Sequence, residues 1–170
     1  MAEALNLDEF ELIARDTLPA MTYDFIAGGS EDERTVAGNR AAFARRVLRN
    51  RTLVDVETRD MRTRLLGLDL AHPILLAPTA LHRLAHPEGE IATARGAAAA
   101  GALYTVSTAT STRLEEIQRA APHGLRWFQL YHLGDRGATE ELIRLAVATG
   151  HRAIVAVSYT HLTLPTICSV

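Results

Sequence analysis

Two short apolar runs in this chain end in side chains able to do chemistry. Trp127-Phe128-Gln129-Leu130-Tyr131 brings an amide and a phenol to its C-terminal end. Leu76-Ala77-Pro78-Thr79-Ala80 breaks into a Pro-Thr-Ala turn. In a barrel of parallel strands, the C-terminal strand ends are where chemistry sits. An amide offers donors and an acceptor side by side, and small turn residues let main chain approach closely. Together they suit a flat, hydrogen-bonding ring. Gln129 among Trp127, Phe128 and Leu130 is costly to bury without partners. His82 and His86 stand four apart, but no third ligand is evident nearby, so no metal site is assigned. Cys168 has no His or Asp at a recognisable nucleophile spacing and receives no catalytic role.

The elements that must position these residues follow from periodicity. Asn6 followed by Glu9 reads as an N-cap with an acidic N3 residue, after which Leu7, Phe10, Ile13 and Ala14 share a helical face. Pro19 begins a second helix through Tyr23, which Gly28-Gly29 ends. Glu31-Asp32-Glu33 opens a third, through Asn39 and Phe43. Residues 47–70 read as extended, with Gly67-Leu68-Asp69 a hairpin turn. From Pro73 onward, strands at 74–77, 103–107, 126–131 and 153–157 alternate with helices at 87–101, 112–121 and 138–148, closed by Gly101 and Gly150 where glycine follows. This is an α/β pattern of βαβ units with a parallel sheet.

Such a sheet closes either as an open doubly wound sheet or as a (β/α)8 barrel. A dinucleotide-binding unit carries G-x-G-x-x-G after its first strand, whereas Pro78-Thr79-Ala80 stands here, which favours the barrel. A full barrel takes about 250 residues, and 85 lie between Pro73 and Val157. The expected fold is therefore N-terminal helices followed by the first half of a (β/α)8 TIM barrel, truncated.

Composition limits the function classes. With 48% apolar residues in 170, a core is affordable; the net charge of −2, with all 18 basic residues arginine and scattered, excludes a nucleic-acid face. One cysteine makes no internal disulfide, no signal peptide is evident, and no apolar stretch reaches a membrane span of about 18 residues. A cytoplasmic protein is expected.

The motifs Tyr23-Asp24-Phe25 with Gly28-Gly29, Ala77-Pro78-Thr79-Ala80, His86-Pro87-Glu88-Gly89-Glu90 and Phe128-Gln129-Leu130-Tyr131 occur in an order and spacing that resembles the FMN-dependent α-hydroxy-acid oxidases and dehydrogenases. The similarity runs over residues 5–155. It implies an enzyme that oxidises small L-2-hydroxy acids to 2-oxo acids, with FMN as cofactor and a homo-oligomeric parent protein. It further implies that Pro78, Thr79 and Ala80 run along the flavin edge, that Ser107 and Gln129 hydrogen-bond the ring, and that Tyr23 and Tyr131 bind the substrate. Without the resemblance, Ser107 reads equally as a cap of the next helix, Tyr23 as helix core beside Phe25, and Thr79 as a contributor of backbone alone. The family often has an aromatic residue where Ala109 stands, which implies a different pocket shape there.

The same resemblance locates the rest of the chemistry elsewhere. The lysine near flavin N1, the histidine base, the substrate-clamping arginines and the phosphate site belong to the second half-barrel and match no position here. No catalytic residue is assigned, and the chain alone is expected to be inactive. The family's fourth strand continues into Thr-Val-Asp and Gly-Arg-Arg, but this chain departs at Ala156 or Val157. Residues 1–157 are read as the N-terminal part of the family's domain. Residues 158–170 resemble translated sequencing-adaptor read-through and are expected to be a non-native tail. Rival readings are a piece of another FMN-binding barrel enzyme, and a non-catalytic fragment without function.

Overall fold

Asn6 does what its position asks. Its Oδ1 accepts from the Glu9 N–H at 2.9 Å, while the Glu9 carboxylate receives the Leu5 N–H at 2.7 Å. That reciprocal capping starts α1 (Leu7–Thr17). The computed structural model describes residues 4–157, which divide into two compact units between Arg59 and Asp60. The tail at 158–170, with Cys168, lies outside the described residues.

The first unit holds α1, α2 (Ala20–Ala27) and α3 (Arg34–Ala44). Gly28 ends α2 in an extended conformation, φ −75°, rather than the left-handed one a terminal glycine usually supplies. Its need for glycine is spatial: a Cβ would sit 2.6 Å from the Asp24 carbonyl oxygen, and one on Gly29 would sit 2.5 Å from a Val36 methyl. The acidic run expected to open α3 instead forms the turn before it. Glu31 and Glu33 take φ of 51° and 54°, and Glu33 spends its carboxylate on the Gly29 N–H at 2.9 Å.

The second unit begins with a hairpin, β1 (Thr63–Leu65) against β2 (Leu68–Leu70), antiparallel. Leu65 pairs with Leu68, so the loop is Leu66-Gly67, one residue earlier than the Gly67-Leu68-Asp69 turn expected. Both loop residues have positive φ, 47° and 79°, the twist a two-residue hairpin requires. Residues 47–62 form no strand, although the whole stretch reads as extended.

Then follow β3 (Leu75–Leu76), α4 (Gly89–Ala99), β4 (Leu103–Val106), α5 (Leu114–Ala120), β5 (Arg126–Tyr131), α6 (Arg136–Ala148) and β6 (Ile154–Val157). All four strands are parallel and lie in chain order, β3-β4-β5-β6. A doubly wound sheet reverses its order at a switch point; this one advances in a single direction, as a barrel wall does. α4 starts later than position 87, because Pro87 and Glu88 lie in a turn closed by the Gly89 N–H on the His86 carbonyl at 2.9 Å. α6 starts earlier than 138, because the Asp135 carboxylate caps the Gly137 N–H at 2.7 Å.

Alternation sorts the strand residues onto two faces. Tyr104, Val106, Phe128 and Leu130 pack with Ala94, Ala97, Leu114, Ile117 and Ala146 into the core between sheet and helices. Thr105, Ser107, Trp127, Gln129 and Tyr131 are thereby assigned to the other face, the inner wall.

Candidate functional site

The C-terminal ends of β4 and β5 are joined by side chains where the backbone ladder stops. Ser107 Oγ donates to Gln129 Oε1 at 3.1 Å, and the Thr108 N–H donates to the same oxygen at 3.3 Å. Thr108 Oγ1 donates to the Gln129 carbonyl at 2.5 Å and accepts from the Tyr131 N–H at 3.0 Å. Ser107 therefore acts across the sheet. It also accepts from the Ala109 N–H at 3.1 Å, and α5 begins well beyond it at Leu114, so it is no helix cap.

Gln129 is 2% exposed. Two donors settle its amide oxygen, and its Nε2 is left buried without a partner. Trp127 Nε1, on the same face, is likewise buried and unpartnered. Buried donors are nearly always paired, so a rigidly held, unspent amide N–H fits an acceptor brought by a ligand. A planar heterocycle with a carbonyl at its edge meets that need, and the donor set suits the FMN ring. Tyr131, 37% exposed, stands at the rim of the same strand.

Pro78 and Thr79 are exposed and Ala80 is half-buried, in the loop after β3. This loop is fastened to the one after β4: the Leu81 N–H donates to the Ala109 carbonyl at 3.0 Å, and the Arg83 N–H to Ser111 Oγ at 3.1 Å. The sequence-assigned residues Pro78, Thr79, Ala80, Ser107, Gln129 and Tyr131 thus belong to three strand ends tied side by side. Ala109 itself is exposed. Tyr23 belongs to the N-terminal unit. There its hydroxyl donates to Glu11 Oε1 at 3.3 Å, and Arg40 pairs with the same carboxylate. Tyr23, Gly28 and Gly29 line a groove of about 710 Å³ within that unit.

Thr108, Ser111, Thr112 and Glu90 carry roles that the motifs do not reveal. Glu90 is 0% exposed in the first turn of α4. Burial works against its charge, but donors from Thr112 and from Ser111 prevail and bring the carboxyl down to about 2. The available signal was a glutamate in the first turn of an alanine-rich helix, with a hydroxyl-rich run at 108–112 of which Ser111 and Thr112 satisfy it. The histidines at 82 and 86 are engaged locally, His82 Nδ1 with Thr93 Oγ1 at 3.0 Å and His86 Nδ1 accepting from the Glu88 N–H at 3.2 Å. Among the described residues no group of three or more potential ligands could hold a metal ion. No helix among them is long and apolar enough to cross a membrane.

Comparison with known proteins agrees with this geometry. The chain is 47% identical over 152 residues to glycolate oxidase of Spinacia oleracea, covering 89% of this chain and 41% of that protein. It is also 47% identical over 154 residues to glycolate oxidase 1 of Zea mays. Among solved structures, mandelate oxidase with 3,3-difluoro-2-hydroxy-3-phenylpropionic acid superposes with a TM-score of 0.84 at 41% identity, covering 90% of this chain and 46% of that one. A lactate oxidase of Pediococcus acidilactici gives 0.86 at 38% identity, covering 91% and 43%. The chain thus spans less than half the length of these relatives, and its four parallel strands correspond to part of their TIM barrel. The family model described as FMN-dependent dehydrogenase matches residues 14–159. This chain belongs to the FMN-dependent dehydrogenase family.

Proposed function

We propose that this chain is the flavin-cradling part of an enzyme that oxidises small L-2-hydroxy acids to 2-oxo acids, passing electrons to oxygen or another acceptor. The observation that carries the reading is the Gln129 amide, with its oxygen held by Ser107 and Thr108 and its N–H buried and unspent. FMN, when bound, supplies the redox chemistry by accepting the reducing equivalents of the hydroxy acid. Gln129 would donate to a ring acceptor, and Ser107, holding the amide oxygen, would keep that donor aimed. Pro78, Thr79 and Ala80 present small side chains and free main chain to the ring's edge. Tyr131, at the rim, is the proposed phenol for the substrate carboxylate or hydroxyl. Tyr23 is proposed for the same task, with its hydroxyl polarised by Glu11.

General-base catalysis and charge stabilisation of the reduced ring need a base and cations. These are assigned to sequence that this chain does not share with its longer relatives. Residues 158–170 are proposed to be a non-native tail. A homo-oligomeric assembly of the whole protein is in keeping with apolar side chains such as Phe10, Phe25 and Phe43, which stand exposed on the N-terminal helices.

The test is a titration of FMN against the protein extended by its natural downstream sequence, which brings the phosphate site, followed by quenching of flavin fluorescence. Saturable quenching is the expected result. It would be weakened in Gln129→Glu, which keeps the acceptor facing Ser107 but removes the free N–H. Identical titrations for the two proteins would overturn the assignment. For the substrate class, oxygen or dye reduction would be measured with glycolate, lactate and mandelate on the protein extended by its natural downstream sequence.

A further inference from the structure

Glu90 contacts no residue singled out for cofactor or substrate, yet it receives five hydrogen bonds from three residues in two loops. The His82 N–H reaches its Oε1 at 3.2 Å, and the Ser111 N–H reaches the same oxygen at 2.8 Å. Ser111 Oγ spans both oxygens at 2.9 and 2.8 Å, and Thr112 Oγ1 donates to Oε2 at 2.6 Å. His82 follows the loop of Pro78, Thr79 and Ala80; Ser111 and Thr112 follow Ser107 and Thr108. Every one of these partners is a neutral donor. A fully buried carboxylate normally has a cation or a metal beside it, so this charge is neutralised by loop dipoles and the first turn of α4.

We propose that Glu90 is a positioning residue, a buried carboxylate clamp that locks the loop after β3 to the loop after β4 so that the two flavin-facing segments keep a fixed spacing. The clamp rests on the proposed cofactor reading only for its purpose, and its mechanics stand on the hydrogen bonds alone. Neither loop has regular structure to hold it beyond the 3-10 turn at His82–Leu84. The direct bonds between them are Leu81 N–H to Ala109 and Arg83 N–H to Ser111 Oγ, and the latter uses the hydroxyl that Glu90 itself orients. Loss of the acceptor leaves several donors facing the interior with nothing to accept them, which favours local opening over an intact clamp.

Glu90→Gln tests this, since it preserves shape while one acceptor oxygen becomes a donor set against the Ser111 and Thr112 hydroxyls. Amide hydrogen exchange in the full chain is expected to accelerate by about tenfold or more at Leu81, His82 and Ser111, with Tyr104 and Phe128 in the sheet changed by less than about twofold. FMN added to the variant in the protein extended by its natural downstream sequence is expected to quench less at every concentration than with the unaltered extended protein. Exchange that is unchanged, or that rises equally in the sheet, overturns the clamp, because a merely structural residue would lower protection everywhere. Loosened loops with undiminished FMN binding overturn the positioning role. Loosened loops in an extended protein that never quenches FMN leave the clamp standing and defeat the proposed flavin contacts instead. Should Glu90→Gln fail to fold, Thr112→Val removes one leg of the clamp, and the same local pattern at smaller amplitude is required.

Discussion

At the scale of single residues, the site is an exercise in which polar atoms are spent and which are kept. Gln129 has its oxygen occupied twice and its nitrogen not at all. Gln129→Glu is expected to weaken FMN binding by about tenfold or more, since loss of a buried partner costs about 1–3 kcal/mol before any charge is counted. A second prediction concerns His151, buried against Phe128 with its Nδ1 beside the Ala146 carbonyl at 3.1 Å. Burial, with help from the charge of Arg126 and against the Ala146 contact, brings its pKa down from 6.5 to about 4. The folded state therefore holds this ring neutral. Its contribution is fully present above pH 6.5 and is lost as pH falls toward 4, by roughly 3 kcal/mol. Urea midpoints measured between pH 7 and 4 should fall along that window, and His151→Gln should flatten the slope. Glu90 acts lower: its stabilisation is present above 4.5 and fades as pH drops toward 2.

At the scale of elements, two helix ends carry the same motif with different surroundings. After α4, the Ala102 N–H reaches back to the Ala97 carbonyl at 2.9 Å around Gly101, φ 67°; after α6, the His151 N–H reaches Ala146 at 3.0 Å around Gly150, φ 78°. Both glycines were legible in the sequence as helix stops. Their local cost was not. A Cβ at Gly101 would meet Ala71 Cβ at 3.1 Å, whereas at Gly150 it finds only Arg126 Nη2 at 3.9 Å. Gly150→Ala should cost about 1 kcal/mol from backbone strain alone, and Gly101→Ala measurably more in paired thermal melts. Equal losses would show that the Ala71 contact relaxes freely. Helix starts were read less well than stops. Asp135 and Asn6 cap by side chain, but Glu88 and Arg113 make no side-chain cap, and the hydroxyl residues near α5 are diverted to Glu90.

For the whole molecule, the second unit concentrates its burial on one side of the sheet. β4 is buried throughout, while β6 is largely exposed, and the N-terminal helices leave residues such as Phe43 at 83% exposure. The purified 170-residue chain is expected to oxidise none of glycolate, lactate or mandelate, as judged by oxygen uptake. Turnover by this chain unaided would sink the division of labour proposed here.

The α/β pattern, the four strand positions and the family were all present in the one-dimensional pattern, which also singles out Pro78 to Ala80, Ser107, Gln129 and Tyr131 as the residues proposed to meet the flavin and substrate. Period, turn chemistry and motif are local properties, and local properties survive in a string of letters. Only the fold decided that Ser107 bonds Gln129 rather than capping a helix, that Gly28 is demanded by a close approach rather than by φ, and that Glu90 binds two loops into one frame. Those outcomes depend on residues 4 to 22 positions apart in sequence competing for the same donors and the same space, and such competition is settled in three dimensions.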